Sequence, residues 1–228
     1  MARDPLDVLH DEVVSCRRCP RLVSWREEVA AHPRASFAGE QYWGRPLPGF
    51  GDPGASIVVV GLAPAAHGGN RTGRVFTGDR SGDWLWAAMW RAGLANQPQS
   101  ASLGDGLVAL GAWVTAAVKC APPANRPAPE ERDRCLPYLE REIRLLPRAR
   151  VLVALGAFAY ETCARMLGLR PRPAFRHGLE VKVATGQWLV CSFHPSQQNT
   201  FTGRLTAEML DAVLGRARAL AEPAEPLS

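Results

Sequence analysis

The stretch SIVVVGLAPAAH, residues 56–67, decides the fold of this chain. It begins with an uninterrupted run of β-branched residues, which is typical of a strand buried on both faces of a parallel sheet. Similar apolar runs cover residues 113–118, 151–155 and 188–193. Polar, Gly/Pro-rich segments follow three of the four runs, at 61–67, 119–125 and 194–200. Because ligands bind where parallel strands end, we expect the functional residues in these segments.

Helical patterns alternate with the four runs. Ser81 is the predicted N-cap of a helix over 82–90, and a charged amphipathic stretch follows Pro127 as far as Leu146. Further helices are predicted over 6–14, 157–167 and 205–221. Regular alternation of strands and helices is typical of one layered α/β domain, here residues 1–228. Residues 222–228 are expected to be a frayed tail.

Composition excludes several classes of protein. With 46% hydrophobic and 21% charged residues, the chain of 228 residues is globular rather than disordered. Its longest uncharged apolar stretch, residues 106–118, is much shorter than the ~20 residues of a spanning helix, and its start lacks the apolar core of a signal peptide. We therefore expect a soluble, cytoplasmic protein. The net charge of +5 comes almost wholly from arginine, which suits nucleic acid but also fits a mere preference for arginine.

Four of the six cysteines form two groups that suggest metal binding. Cys16 and Cys19 form a CxxC ahead of every predicted strand, whereas Cys120 and Cys135 have fourteen residues between them. Four thiols suit either zinc or an iron–sulfur cluster. The second spacing is too wide for the usual zinc ribbon, which favours a [4Fe–4S] cluster over zinc and over four unrelated thiols. Cys163 and Cys191 lie in apolar periodic segments and are predicted to be core residues.

Three residues near the predicted sheet edge carry the chemical signal. Phe76 lies in the Gly-rich segment 68–79, which matches neither the dinucleotide-binding nor the P-loop motif, and its ring either stacks on a base or folds back onto the core. Asp79 either orients a water or caps the next helix, and the sequence alone favours the cap. His194 directly follows a predicted strand, where it can donate a hydrogen bond or a proton, and His67 is a second candidate.

Taken together, the motifs resemble those of the uracil-DNA glycosylase superfamily, in its iron–sulfur branch, and most closely family 5 (type B). The resemblance extends from Cys16 to about Met209. It is carried by CRRC at 16–19, WGRPLPGFGD at 43–52, GLAPA at 61–65, NRTGRVFTGD at 70–79, KCAPPAN at 119–125 and HPSQQNT at 194–200.

The resemblance implies a fold, a cofactor and an activity. The fold is a three-layer α/β domain in which helices flank a central four-stranded parallel sheet. The cofactor is a [4Fe–4S] cluster held by Cys16, Cys19, Cys120 and Cys135. The activity is hydrolysis of the N-glycosidic bond of uracil flipped out of double-stranded DNA, which leaves an abasic site. Hypoxanthine and ethenocytosine are implied as further substrates, and we expect a monomer.

The resemblance also assigns roles to individual residues. Catalysis falls to His194, on the carbonyl of the leaving base, and to Asp79. Substrate binding is expected from Gly61, Ala63, Pro64, Ala65, His67, Phe76 and Asn125. DNA binding is expected from Asn70, Arg71, Arg74, Gln197, Gln198 and Asn199.

One departure from the superfamily leaves two alternatives open. The segment GLAPA at 61–65 has no polar side chain where most of the superfamily carries a catalytic Asp, Asn or Glu. Family 5 shares this gap, and Asp79 has been the suggested substitute there. The alternatives are the family 4 (type A) enzymes, which usually have an acidic residue where Leu62 stands, and a non-catalytic iron–sulfur module that binds nucleic acid.

Overall fold

A computed structural model describes residues 3–222 and contains a six-stranded mixed sheet. The strands are β1 (Phe50–Gly51), β2 (Ile57–Gly61), β3 (Ala112–Ala116), β4 (Val151–Leu155), β5 (Glu180–Lys182) and β6 (Trp188–Ser192), in the order β1-β3-β2-β4-β6-β5. The four strands at the centre are parallel, as predicted. The edge strands β1 and β5 pair antiparallel and were not predicted, because two or three residues are too few to show a periodic pattern.

Eight α-helices lie in the described part of the chain. They are α1 (Pro5–Val14), α2 (Pro20–Ala31), α3 (Gly69–Thr72), α4 (Arg80–Arg91), α5 (Pro129–Arg144), α6 (Ala157–Met166), α7 (Gln197–Phe201) and α8 (Ala207–Ala221). The sequence predicted neither α2 nor the short helices α3 and α7, which lie in segments expected to be loops. Across residues 3–222, none of the helices combines the length and apolar character that crossing a membrane requires. Apart from residue 222, the tail expected to fray lies outside the described residues.

The predicted N-cap of α4 is wrong. The helix begins at Arg80, and its N-cap is Asp79, whose Oδ1 accepts a hydrogen bond of 2.9 Å from the N–H of Gly82. Aspartate and serine are comparable N-caps, so the sequence predicted a cap at both Ser81 and Asp79, and the structure places it at Asp79. The carboxylate therefore has a structural role whatever else it does.

The sheet separates two apolar cores because its side chains alternate between faces. Ile57 and Val59 of β2 pack with α4 and α8, whereas Val58 and Val60 pack with α5 and α6. Helix α4, which lies between β2 and β3 in the chain, thus packs on one face of the sheet, and α5, which follows β3, packs on the other. Such a reversal opens a crevice at the carboxyl ends of the two strands, which is where ligands bind in open α/β sheets.

The N-terminal helices bring the first cysteine pair to the second. Helix α1 packs against α5, and the carboxylate of Glu12 is paired with the guanidinium of Arg141. Cys16 and Cys19 lie in the connection between α1 and α2, next to the segment after β3 and the middle of α5.

Candidate active site

A cavity of about 1000 Å³ opens at the carboxyl edge of the sheet, as the sequence predicted. Its walls come from the segments after β2, β3 and β6, together with Trp25 of α2. This volume lies at the upper end of the range for pockets that hold small molecules. The cavity is therefore large enough for a nucleobase with its sugar.

Phe76 presents its ring to this cavity and is held there by its neighbours. Its backbone has a φ of +49°, a conformation that L-residues rarely adopt, and its carbonyl accepts a 2.8 Å hydrogen bond from Nε1 of Trp86. The ring centroid lies 6.0 Å from that of His194. A β-carbon on Gly61 would stand 2.5 Å from Cζ of Phe76, so the glycine makes room for the ring. Gly61 lies behind the ring, outside the cavity lining, which corrects its expected contact with substrate.

His194 lies next to the ring of Phe76, and two neighbouring residues hold its backbone in place. Nδ2 of Asn199 donates a 2.8 Å hydrogen bond to the carbonyl of His194. Gly156, with a φ of +90°, brings the start of α6 close, since a β-carbon there would stand 3.1 Å from the β-carbon of His194. Burial lowers the pKa of His194 to about 4. The imidazole is therefore neutral at physiological pH and donates a hydrogen bond without carrying a charge.

Asp79 both caps α4 and lines the cavity. Burial raises the pKa of its carboxyl, and the N–H groups of Gly82 and Ser81 partly offset that rise. A β-carbon on Gly68 would stand 2.0 Å from Oδ2 of Asp79, so the glycine leaves the carboxylate its space. The two roles considered for Asp79 are thus compatible, because one oxygen serves the helix and the other stands against the cavity wall.

The remaining expected base-binding residues lie on the walls of the same cavity. Ala63, Pro64 and Ala65 line it after β2, and Asn125 lines it after β3 with a φ of +53°. His67 also lines it, and its Nδ1 is 3.0 Å from the hydroxyl of Tyr42. Burial, helped by nearby arginines, lowers the pKa of His67.

Three of the six residues expected to contact DNA have other partners. Asn70 is 1% exposed, and its Nδ2 donates to the carbonyl of Arg26. Arg74 is 3% exposed and pairs with Asp105 at 2.6 Å. Arg71 donates to the carbonyls of His67 and Gly78 and to the carboxylate of Glu40. The burial of Asn70 and Arg74 contradicts the expected contact with phosphate, whereas Arg71 has three of its five N–H donors engaged within the protein. A glycine-rich segment suggests exposure, yet this one folds inward.

The other three expected DNA contacts lie on α7, and they differ among themselves. Gln197 and Gln198 are exposed at the rim of the cavity, whereas Asn199 is turned inward to His194. The sequence analysis missed Phe201 at the end of the same helix, which is 68% exposed beneath the guanidinium of Arg80 at 4.1 Å. An aromatic residue next to a polar motif was the available signal.

The four candidate cluster ligands lie around one small cavity. Cys16, Cys19, Cys120 and Cys135 all line it, together with Tyr138. Within residues 3–222, no three His, Cys, Asp or Glu side chains form a set that could hold a single metal ion. Burial raises the pKa of the Cys120 thiol to about 12 and that of Cys135 to about 11. Cys163 of α6 and Cys191 of β6, by contrast, are fully buried in the core between that helix and the sheet, as predicted.

Comparison with known proteins agrees with this geometry. A family model described as the Uracil DNA glycosylase superfamily matches residues 48–218. A type-5 uracil-DNA glycosylase of Mycobacterium bovis is 54% identical, with 90% of this chain and 78% of that protein aligned. One from Thermus thermophilus is 53% identical, with 92% and 95% aligned. The chain belongs to the type-5 uracil-DNA glycosylase family.

Membership of the type-5 family confirms the predicted resemblance over its sister family. A type-4 uracil-DNA glycosylase of Pyrobaculum aerophilum is 31% identical over 72% of this chain, far less than the type-5 relatives. The type-5 family member described here keeps Leu62, an apolar residue, in the first motif, and Leu62 lines the cavity. Its candidate acid therefore comes from Asp79, at the start of α4.

Proposed function

We propose that this protein is a DNA repair glycosylase that hydrolyses the N-glycosidic bond of uracil flipped out of double-stranded DNA. The observation that carries the proposal is the meeting of Phe76, Asn125, His194 and Asp79 around one cavity at the sheet edge, in a chain of the type-5 family. An aromatic face, an amide, a neutral imidazole and a carboxylate suit binding of a planar base and cleavage of the bond behind it.

The base enters the cavity between Phe76 and the wall after β3. The ring of Phe76 stacks on the flipped uracil, a contact worth about 1–3 kcal/mol per base in other proteins. Asn125 presents an amide to the base edge, and an amide donates and accepts at once, as uracil requires. Base flipping itself costs a few kcal/mol and costs less for a mispair such as U·G.

His194 stabilises the leaving base. As the bond between N1 and C1′ breaks, its electron pair stays on uracil and negative charge builds on the ring oxygens. A neutral imidazole donates a hydrogen bond to such an oxygen. This bond stabilises the developing charge more strongly in a cavity that excludes water than it would in water. The bond from Asn199 to the carbonyl of His194 keeps the donor in place before the charge appears.

Asp79 acts on the other fragment, the sugar. Its free oxygen stabilises the positive charge on C1′ or orients the water that attacks C1′. The water gives its oxygen to the sugar and releases a proton, so the products are uracil and an abasic site.

No lysine among the described residues lines the cavity, so we propose a monofunctional enzyme. Among the described residues, Lys119 is buried and bonded to Glu142 at 2.6 Å, and Lys182 lies on the edge strand β5 beside Trp188. Neither lysine lines the cavity. Strand cleavage through a covalent imine therefore has no candidate nucleophile among the lysines.

The DNA-binding surface is proposed to be the rim of the cavity. Arg34, Arg80 and Arg126 line it, and arginine binds phosphates in a bidentate manner. Gln197 and Gln198 extend from α7 where the flipped base leaves a gap in the stack, and Phe201 offers an exposed ring at the end of that helix. Replacing Phe201 by alanine is expected to weaken binding of uracil-containing duplex several-fold, as measured by fluorescence anisotropy.

Hypoxanthine and ethenocytosine are proposed as further substrates. The cavity has a volume of about 1000 Å³, and the small side chains of Ala63 and Ala65 on its wall leave space for a larger base. Both lesions are larger than uracil, and a small-residue wall tolerates the added ring. We further propose that the protein is cytoplasmic, since thiols stay reduced in that compartment. That the protein is a monomer stays a prediction.

We also propose the [4Fe–4S] cluster as the cofactor. The four thiols fit it because each sulfur binds a different iron, so they need not surround one point as the ligands of a single zinc ion must. The convergence of the four thiols on one cavity supports this donor set. When bound, the cluster supplies a cross-link between the α1–α2 connection, the segment after β3 and α5, and the hydrolysis does not pass through it.

The deciding experiment uses a labelled duplex with one U·G pair, incubated with protein and then treated with alkali. Cleavage that depends on alkali and occurs only at uracil supports excision by a monofunctional enzyme. Strand cleavage without alkali contradicts the monofunctional mechanism. Tight binding without base release, from protein that holds iron, contradicts the enzyme and favours a binding module.

A further inference from the structure

Three basic side chains in the described part of the chain are almost wholly buried. They are Lys119 at 1%, Arg26 at 2% and Arg74 at 3% exposure. A buried cation is strongly unfavourable unless an anion pairs with it. Lys119 contacts Glu142 at 2.6 Å, and Arg74 contacts Asp105 at 2.6 Å. Each of these two cations is therefore paired with a carboxylate.

Arg26 is hydrogen-bonded to a sulfur atom where the other two cations contact a carboxylate. Its Nη1 donates a 3.1 Å hydrogen bond to Sγ of Cys120, and its Nη2 donates to the carbonyl of Cys16 at 3.3 Å. The nearest carboxylate, on Glu27, lies 3.7 Å from Nη2, but that side chain is 44% exposed and already bonded to Arg17. The buried partner of the guanidinium is thus the thiol of Cys120.

A neutral thiol is a weak acceptor and balances no charge, whereas a metal-bound cysteine is a thiolate. Four thiolates around a [4Fe–4S] core leave a net negative charge inside the protein. We propose that Arg26 is a positioning residue for this cluster, which balances part of that charge and fixes the sulfur of Cys120. The inference rests on the cofactor proposed above.

The same residue also contacts the base-binding side of the molecule. The carbonyl of Arg26 accepts a 3.1 Å hydrogen bond from Nδ2 of Asn70 in α3, and its neighbour Trp25 lines the active cavity. Helix α2 therefore stands between the thiols and the base pocket. Loss of the guanidinium removes a contact that connects α2 to the thiols.

The test compares anaerobically purified holoprotein with the Arg26→Met and Arg26→Lys variants. Iron and sulfide per chain, the rate of cluster loss in air and the midpoint potential are measured. A cation stabilises the reduced cluster more than the oxidised one, so Arg26→Met is expected to lower the midpoint potential. A tenfold change in the relative stability of the two oxidation states equals about 59 mV for one electron. We also expect cluster loss about tenfold faster in Arg26→Met, and a potential near the parent value in Arg26→Lys.

Arg17→Met is the matched control, because it removes an exposed cation that shares the same carboxylate partner. It is expected to leave the potential and the loss rate unchanged, since exposed pairs are screened by solvent. Equal potentials and loss rates in Arg26→Met and the parent overturn the inference. Should Arg26→Met not fold, a midpoint potential in Arg26→Lys that lies about 59 mV or more below the parent value overturns it, because the retained positive charge is expected to hold the potential. A parent protein that binds zinc and no iron overturns the cofactor as well, whereas uracil excision is measured separately.

Discussion

Replacing Asp79 by serine separates the two roles of this carboxylate. Serine is as good an N-cap as aspartate, so Asp79→Ser keeps the hydrogen bond to Gly82 while it removes the negative charge. Asp79→Ala removes both and is expected to cost about 1 kcal/mol of stability. For a chain of this size, that lowers Tm by roughly 2–4 °C. The pair of variants therefore distinguishes a helix cap from a chemical group.

The expected loss of rate follows from electrostatics. A unit charge about 5 Å from the sugar cation, at an effective dielectric constant of about 20, stabilises it by about 3 kcal/mol. This equals roughly a 150-fold change in the rate of the chemical step. Both variants are expected to show it in single-turnover excision of uracil from a U·G duplex, although only Asp79→Ala loses thermal stability.

The pH dependence gives a second readout for the same carboxylate. Burial raises its pKa, so the carboxylate takes up a proton at a higher pH than free aspartate does. The rate is thus expected to fall as the pH drops through this raised pKa, and Asp79→Asn is expected to lack that fall. An Asp79→Ser protein that excises uracil within threefold of the parent rate refutes the reasoning, and Asp79 is then a helix cap alone.

Three further predictions concern other parts of the site. Because burial lowers the pKa of His194 to about 4, its imidazole is expected to contribute no change in rate near pH 6.5. A fall in rate near pH 6.5 that His194→Gln abolishes would contradict a neutral donor. Gly61→Ala places a β-carbon 2.5 Å from the ring of Phe76 and should raise the KM for uracil DNA, but not in a Phe76→Ala background. Arg74→Met leaves Asp105 without its buried partner and should cost about 3 kcal/mol in urea unfolding, whereas the salt dependence of DNA binding should not change.

The four central strands were predictable because strands buried on both faces are continuously apolar. The same logic explains why α2 was missed. Its buried side includes Arg26, whose partner Cys120 lies 94 positions away, so a charged residue interrupts the apolar stripe that would mark the helix. A charged residue buried by a distant partner has the same appearance in a sequence as a charged residue in solvent.

In the candidate site, too, features set by local sequence were predicted and features set by distant partners were not. Segments that follow strands were placed correctly, because parallel strands end at one edge, and this brought Phe76 and His194 together. The ion pairs of Arg71 and Arg74 were missed, because their acceptors Glu40 and Asp105 lie 31 positions away and nothing local reveals such pairs. For Asp79 the sequence alone favoured the helix cap, and only the coordinates show that its second oxygen faces a different group.

The distribution of the four thiols along the chain has a consequence for biosynthesis. More than a hundred residues separate Cys19 from Cys135, and a ribosome adds roughly 5–20 residues each second. The first pair is therefore synthesised roughly ten seconds before the second pair is complete. During that interval the CxxC has no preformed site, and it gains its partners only when β3 and α5 have folded against the N-terminal helices. The four-thiol site thus assembles only after most of α5 has been synthesised, while β4 and β6 of the sheet are still to come.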